Sequence, residues 1–243
     1  MNSKSWTAII PAAGRGTRFS KFKNKIFFHY KKKSILEHLI FKISKLTEKI
    51  IIIINKKDLK EAKKILKKFN KKNKIIFSFQ NKPEGMASAI EIGLRRTYSK
   101  YFYTIWCDQI GISTRTIKKT IIFHEKNNYI STFPITYLKR SYTLVKKDRS
   151  HFLIKVYQSR ENEFKNKEGY NDCGFFCCNT NFFKKNLKKL IKSKKILTKK
   201  TKEHDFLHAL NVFANTKKIK TLISKNKYDA VGINFKKDFN KLK

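Results

Sequence analysis

Residues 9–19 read IIPAAGRGTRF, an apolar run that breaks into small residues, two glycines and two arginines. The apolar part predicts a short buried strand over Thr7–Ile10 that ends at Pro11. Small residues after a strand allow backbone N–H groups to approach phosphate oxygens closely. The spacing after Gly14 is not that of a Walker A loop, and position 19 is Phe where a dinucleotide fingerprint needs glycine. By itself the stretch predicts a strand and a tight turn, with or without a phosphate.

The chain around this stretch alternates between apolar runs and amphipathic stretches up to residue 110. Further strands are predicted over Lys49–Ile54, Lys74–Phe79 and Tyr101–Trp106, and helices over Ser34–Leu46, Asp58–Phe69 and Gly85–Arg96. This alternation predicts an α/β fold with a Rossmann-like mixed, mainly parallel sheet flanked by helices. Ligands of such sheets bind at the carboxyl ends of the strands, where residues 12–18, residues 80–85 and Asp108 lie.

The second half of the sequence is less regular, and residues 159–171 are predicted to form a loop. Strands are predicted over Tyr129–Pro134, Phe152–Tyr157, Gly174–Cys178 and Lys217–Ser224, and helices over Thr180–Ser193, Glu203–Ala214 and Lys236–Leu242. The length of 243 residues, 40% of them hydrophobic, is enough for a substantial core.

The net charge of +41 is the most unusual feature of the composition. Dense Lys and Arg are typical of nucleic-acid-binding proteins, which neutralise phosphates. The excess is spread over the whole chain, however, and Lys, Asn, Ile and Phe share A/T-rich codons, so nucleic acid is not an expected partner. No apolar run approaches the ~18 residues of a membrane span. The four cysteines form no metal-binding pair, and we expect a cytoplasmic protein.

Six segments resemble, in order along the chain, the signatures of the nucleotide-sugar pyrophosphorylase superfamily. They are IIPAAGRGTRF followed by Lys25, SILEHLI at 34–40, Gln80 with PEGMASAI at 83–90, WCDQIGIS at 106–113, NDCGFF at 171–176, and GINFKKDF at 232–239. The nearest parallel is the uridylyltransferase domain of bacterial N-acetylglucosamine-1-phosphate uridylyltransferases. The resemblance implies one domain of the nucleotide-diphospho-sugar transferase (GT-A-like) fold over residues 1–243. Residues 1–110 would bind the nucleotide, and residues 111–243 would bind the sugar phosphate.

The resemblance also implies a reaction and a set of site residues. A sugar-1-phosphate oxygen would attack the α-phosphate of an NTP, with UTP favoured, and pyrophosphate would leave. This task needs charge stabilisation and positioning rather than a general base. The implied residues are Arg18 and Lys25 for catalysis; Ala12, Ala13, Gly14, Gly16, Gln80 and Gly85 for the nucleotide; Gln158, Glu161 and Asp172 for the sugar; and Asp108 and Asn234 for Mg²⁺.

Several positions depart from the superfamily pattern and keep alternatives open. Asn24 replaces a proline before the loop lysine, Met86 replaces a threonine, and Cys107 replaces the glycine before the aspartate. Asp108–Gln109 also resembles molybdenum cofactor guanylyltransferases, and ILEH at 35–38 resembles isoprenoid cytidylyltransferases. A regulatory protein of this fold without catalysis, and a basic nucleic-acid-binding protein, are the remaining alternatives.

Overall fold

The computed structural model describes residues 5–14, 24–69 and 74–242 of the chain. Gly16 and Arg18, two of the predicted phosphate-binding residues, lie outside these ranges. The strands are β1 (Trp6–Pro11), β2 (His29–Tyr30), β3 (Lys33–Ser34), β4 (Lys49–Ile54), β5 (Lys74–Phe79), β6 (Tyr101–Ile105), β7 (Ser131–Leu138), β8 (Thr143–Lys147), β9 (Leu153–Gln158), β10 (Gly169–Asp172), β11 (Phe175–Asn179) and β12 (Ile219–Ile223). The α-helices are α1 (Ile35–Ile43), α2 (Leu59–Leu66), α3 (Met86–Leu94), α4 (Thr114–Asn127), α5 (Thr180–Lys192) and α6 (Phe206–Phe213).

Eight of the described strands form one mixed sheet in the order β10-β7-β11-β6-β1-β4-β5, with β12 paired to β7. Strands β5, β4, β1 and β6 are neighbours and run parallel, whereas β11 runs antiparallel to β6. The carboxyl ends of the four parallel strands therefore meet at one edge of the sheet. The predicted fold class, a Rossmann-like mixed sheet flanked by helices, is confirmed.

Strand β4 shows why the sheet is covered on both faces. Its sequence KIIIII buries Ile51 and Ile53 in the core formed with α3, α5 and α6. The alternate residues Ile50, Ile52 and Ile54 are buried in the core formed with α1, α2 and α4. A continuous apolar run is typical of a parallel strand with helices on both sides.

The second half of the chain differs most from the sequence prediction. Helix α4 was not predicted, because only a narrow stripe at Ile117, Thr120, Ile121 and His124 is buried. Strand β8 was not predicted either, and the prediction of a loop through residue 171 is wrong, because β10 pairs with β7. Helix α6 begins three residues later than predicted, since the Asp205 side chain caps it by accepting from His208 N. The last segment, Lys236–Leu242, is helical as predicted and is a 3₁₀ helix.

Candidate active site

A cavity of about 550 Å³ lies at the carboxyl ends of the parallel strands. This volume is within the usual range for ligand pockets. The cavity is lined by residues from both halves of the chain. Among them are Ala13, Gly14, Lys25, Gln80, Gly85, Asp108, Gln158, Arg160, Asp172, Glu203 and Asn234. The fold thus brings nine of the predicted site residues into one cavity, at the edge of the sheet where residues 12–18, residues 80–85 and Asp108 were expected.

Gly85 joins the predicted nucleobase loop to a distant part of the chain. Gln80 Nε2 donates to Gly85 O at 3.1 Å, and the neighbouring Ala87 N donates to His204 O at 3.0 Å. The φ angle of Gly85 is +98°, and a Cβ atom there would lie 2.4 Å from His204 O. Only glycine allows this close contact in this backbone conformation. The loop is therefore held against residues 203–204, some 120 residues further along the chain.

The predicted phosphate loop is described as far as Gly14. Ala13 and Gly14 line the cavity, and a Cβ atom on Gly14 would meet nothing within 4 Å. Ala12, also predicted to contact the nucleotide, is buried beneath them, and its N–H already donates to Ile53 O at 2.7 Å. Its N–H is therefore engaged within the sheet, and it does not line the cavity.

Asn24, which replaces the proline of the superfamily pattern, organises the approach to Lys25. Its Nδ2 donates to Ala12 O at 3.1 Å and to Asp58 Oδ2 at 3.0 Å. Its Oδ1 accepts from Ile26 N and caps the 3₁₀ turn Lys25–Phe27. The departure at position 24 thus has a structural role, because this side chain ties the turn that carries Lys25 to the end of β1.

Lys25 and Asp108 form an ion pair in the cavity, between Nζ and Oδ2. The side chains are only 14% and 16% exposed, so solvent screens the pair weakly. The other carboxylate oxygen, Oδ1, accepts no hydrogen bond from the described residues and lies near Gly232. A Cβ atom on Gly232 would be 3.7 Å from it. The backbone of Asp108 is also tied to the segment before Asn234, since Ile233 N donates to Asp108 O at 3.0 Å.

Asn234 lines the same cavity as Asp108, and its side-chain amide has no hydrogen-bond partner in the described part of the chain. Its backbone N donates to Asp238 Oδ2 at 2.9 Å. Burial disfavours the charge of Asp238, but hydrogen bonds from Lys241 and from the Phe235 and Asn234 amides outweigh burial and lower its pKa.

A magnesium site that depends on phosphate oxygens fits these residues. Mg²⁺ takes oxygen ligands and often uses one or two side chains together with substrate phosphates. Asp108 Oδ1 and the Asn234 amide oxygen are both possible metal ligands, and neither accepts a hydrogen bond from the described residues. The described residues contain no group of three or more His, Cys, Asp or Glu side chains that could hold a metal ion by themselves. The residues present therefore fit a cation that arrives with a nucleotide.

Asp172 and Gln158, from the second half of the chain, line the same cavity. Asp172 Oδ2 accepts from Thr143 Oγ1 at 2.6 Å, and its Oδ1 accepts from Gly174 N at 2.8 Å. Complete burial raises the pKa of Asp172 despite these bonds, and the negative charges of Asp205 and Asp108 add to the increase. Gln158 is fixed by Asp205, whose Oδ1 accepts from Nε2 at 3.0 Å.

Arg160 is a cavity residue that the sequence analysis missed. Its Nη2 donates to Asp205 Oδ2 at 2.8 Å, and Nη1 lies 3.7 Å from Glu203 Oε2. Burial opposes its charge, but Asp205 and Glu203 outweigh burial and raise the pKa of Arg160. In the sequence, Arg160 is marked only by its position shortly after a predicted strand, in Gln-Ser-Arg. The carboxylate partners of Arg160 are more than 40 residues away in the sequence and could not be inferred from spacing.

Glu161, the third predicted sugar-binding residue, lies 3.8 Å from Arg160 Nε but is bound mainly by the 200–201 loop. Its carboxylate accepts from Thr201 Oγ1 at 2.7 Å and from Lys200 N at 3.1 Å, and it does not line the cavity. Glu161 therefore supports the 200–201 loop, while its neighbour Arg160 faces the cavity.

Part of the cavity wall is apolar. It is formed by Met86, Ala89, Trp106 and Leu207. Beside it, burial and the negative charge of Asp108 raise the pKa of the Cys107 thiol to about 12. This thiol stays protonated at neutral pH and is not suited to act as a nucleophile.

Residues 8–142, more than half of the chain, match the MobA-like NTP transferase domain. The chain belongs to this nucleotidyltransferase family. A 67-residue segment is 42% identical to the 2-C-methyl-D-erythritol 4-phosphate cytidylyltransferase of Thermosipho melanesiensis. The match covers 27% of the chain and only 30% of that enzyme's length.

Solved structures that share the fold of this NTP transferase include the following two. A UDP-glucose pyrophosphorylase complexed with UDP-glucose has a TM-score of 0.76, with 97% of this chain and 96% of that chain covered at 17% identity. The inositol-1-phosphate CTP transferase from T. maritima has a TM-score of 0.69, with 91% and 86% covered at 15% identity. Both likenesses show that this chain shares the fold of those structures. Within the described residues, no helix is long and apolar enough to cross a membrane.

Proposed function

We propose that this chain transfers a nucleotidyl group from an NTP to a sugar-1-phosphate and releases pyrophosphate. The observation that carries the proposal is the Lys25–Asp108 ion pair, which lies in one cavity together with Gln80, Gly85, Gln158, Arg160 and Asp172. Membership of an NTP transferase family supports the same reaction type.

The chemistry requires two anions to be brought together and the α-phosphate to be stabilised. The phosphate nucleophile already carries its charge, so neither a general base nor the unreactive Cys107 thiol is needed. Lys25 is held beside Asp108 with little exposure and would neutralise charge at the α-phosphate. Arg18 would act with it on the other phosphates, as predicted from the sequence.

Mg²⁺, when bound by Asp108 and Asn234 together with phosphate oxygens, would supply further positive charge to the triphosphate. Before it binds, the Lys25 ammonium satisfies Asp108 Oδ2, while Oδ1 has no hydrogen bond from the described residues. One carboxylate oxygen is thus available to a cation, and the other keeps Lys25 in place.

The second-substrate side of the cavity suits a polar phosphorylated molecule. Gln158, Asp172 and Glu203 offer acceptors for hydroxyl groups. Arg160, whose Nη2 and Nε already donate to Asp205 and Gln158, would add positive charge near a phosphate. The apolar wall at Trp106 would pack against the non-polar face of a ring. This combination of polar groups and one apolar surface favours a sugar phosphate over an apolar second substrate.

CTP is a second candidate for the nucleotide, beside UTP. A cytidylyltransferase is the relative with 42% identity over the matched segment, and a CTP transferase is among the structures that share the fold. Gln80 is oriented by its bond to Gly85 O, which leaves its Oε1 to accept an N–H from either pyrimidine.

The test is pyrophosphate release over a matrix of the four NTPs and a panel of sugar-1-phosphates and polyol phosphates, with Mg²⁺. We expect turnover with a pyrimidine nucleotide and a sugar-1-phosphate. Asp108→Ala should lower kcat/KM about 100-fold or more. Glu168→Ala, which removes an exposed carboxylate outside the cavity, is the matched control. The proposal fails if no pair turns over and Asp108→Ala leaves the Mg²⁺ dependence of NTP binding unchanged.

A further inference from the structure

The loop that carries Asp108 is contacted on its far side by two charged residues that do not line the active-site cavity. Lys42, on α1, donates from Nζ to Ile110 O and, at 2.8 Å, to Ile112 O. Asp229, in a 3₁₀ turn near the C-terminal end, is fully buried and accepts from Ser113 N at 2.8 Å. Together they bind both ends of residues 110–113.

Lys42 is a largely buried cation whose described hydrogen bonds go only to these two carbonyls. Burial lowers its pKa, and the negative charge of Asp229 acts in the opposite direction. No carboxylate within the described ranges forms an ion pair with it. Lys42 lines a separate cavity of about 300 Å³, beside Tyr228, and does not line the larger one. Without it, the Ile110 and Ile112 carbonyls would lose a charged donor.

Asp229 links the same loop to the segment that leads to Asn234. Besides Ser113 N, its carboxylate accepts from Thr116 Oγ1 at 2.5 Å, Ser224 Oγ at 2.6 Å and Asn226 Nδ2 at 2.9 Å. Its backbone oxygen accepts from Gln109 Nε2 at 2.8 Å. Four donors to one buried carboxylate make a rigid junction, since each is charge-assisted.

Gly111 shows how closely the loop and the C-terminal segment are packed. A Cβ atom there would lie 2.4 Å from Tyr228 O and 2.6 Å from Val231 O. Gly111 N also donates to Val231 O at 3.2 Å. A shift of residues 110–112 would therefore move the segment just before Asn234.

We propose that Lys42 and Asp229 are positioning residues that set Asp108 and Asn234 at the separation needed to hold the nucleotide-bound cation. The proposal rests on the proposed function, because it concerns the same cation site. Neither residue touches the substrate. They act through the backbone: residues 108–113 carry Asp108, and residues 229–234 carry Asn234.

The experiment measures NTP binding by calorimetry as a function of Mg²⁺ concentration, with Lys42→Met as the main variant. We expect the Mg²⁺ concentration for half-maximal binding to rise roughly 10- to 100-fold, the usual effect of removing a residue that orients a metal ligand. Nucleotide affinity without metal should not change. Lys42→Arg should restore most of the Mg²⁺ response, and Lys45→Met, at an exposed lysine just beyond α1, should behave as wild type.

The outcomes separate this proposal from the proposed function. If the wild type shows no Mg²⁺-dependent binding of any NTP, the proposed function fails and the positioning role fails with it. If the wild type responds to Mg²⁺ and Lys42→Met matches Lys45→Met, the positioning role alone is overturned. If Lys42→Met does not fold, Thr116→Val decides, because it removes one donor to Asp229. A raised Mg²⁺ requirement supports the proposal, and an unchanged one overturns it.

Discussion

Replacing Gly85 by alanine should both destabilise the protein and impair nucleotide binding. The new Cβ atom would lie 2.4 Å from His204 O, 2.7 Å from His204 N and 2.9 Å from Glu203 Cβ. Two of these three atoms belong to the backbone, so no side-chain rotation relieves the overlap. The loop or residues 203–204 must move.

The magnitude follows from two contributions. At φ +98° and ψ 173°, the backbone of Gly85 is in a region that side chains rarely adopt, which costs about 1–3 kcal/mol for alanine. Moving His204 also disrupts its backbone bonds, from His204 N to Glu84 O and from Ala87 N to His204 O. Each contributes about 1 kcal/mol. We therefore expect a loss of roughly 3–5 kcal/mol, a large part of the stability of an ordinary domain.

Urea unfolding followed by tryptophan fluorescence measures this loss, and calorimetry measures NTP binding to the folded variant. Gly14→Ala is the matched control for stability, because its Cβ atom would meet nothing within 4 Å. It should unfold within about 0.5 kcal/mol of wild type. It should nevertheless weaken NTP binding if phosphates approach the backbone at residue 14. A Gly85→Ala variant within about 1 kcal/mol of wild type would refute the reasoning.

Two further predictions concern buried ionisable groups. Burial lowers the pKa of His124 to about 3, so between pH 6.5 and 3 the unfolded chain binds a proton that the folded protein does not. This histidine should thus lower the free energy of unfolding by about 2 kcal/mol between pH 7 and pH 5. Urea titrations at several pH values should show a smaller decrease for His124→Phe than for the wild type. An equal decrease in both proteins would contradict the prediction. Arg160→Met should raise KM for the phosphorylated second substrate more than it weakens NTP binding, because Arg160 is held by Asp205 and Gln158 and reaches the Gly85 loop only through Glu203. Arg160→Met should also lower the free energy of unfolding by about 3–5 kcal/mol, because the buried Asp205 carboxylate loses its cation. A rise in the dissociation constant for NTP as large as the rise in KM would argue against a role of Arg160 in binding the second substrate.

The elements predicted best are those whose local pattern allows a single packing arrangement. Lys49–Ile54 and Lys74–Phe79 were predicted to the residue, because a short, mostly apolar run bounded by polar residues is typical of a strand. Strand β4 is buried on both faces, whereas β5, at the edge of the sheet, is mostly half-buried. Helix α4 escaped prediction because most of its surface is exposed and polar. Strand β10 escaped because its residues depend on pairing with β7 rather than on their own pattern.

The amino-acid sequence by itself determined the α/β fold, the edge of the sheet where ligands bind, and the family signatures at Lys25, Gln80 and Asp108. Only the tertiary structure decided which side chains meet there. Lys25 lies 83 residues from Asp108, and Arg160 lies 45 residues from Asp205. The periodicity of apolar residues predicts which face of a helix or strand is buried, because side chains on one face recur at a fixed spacing along the chain. Contacts between segments depend on how whole elements pack, and no local pattern encodes that.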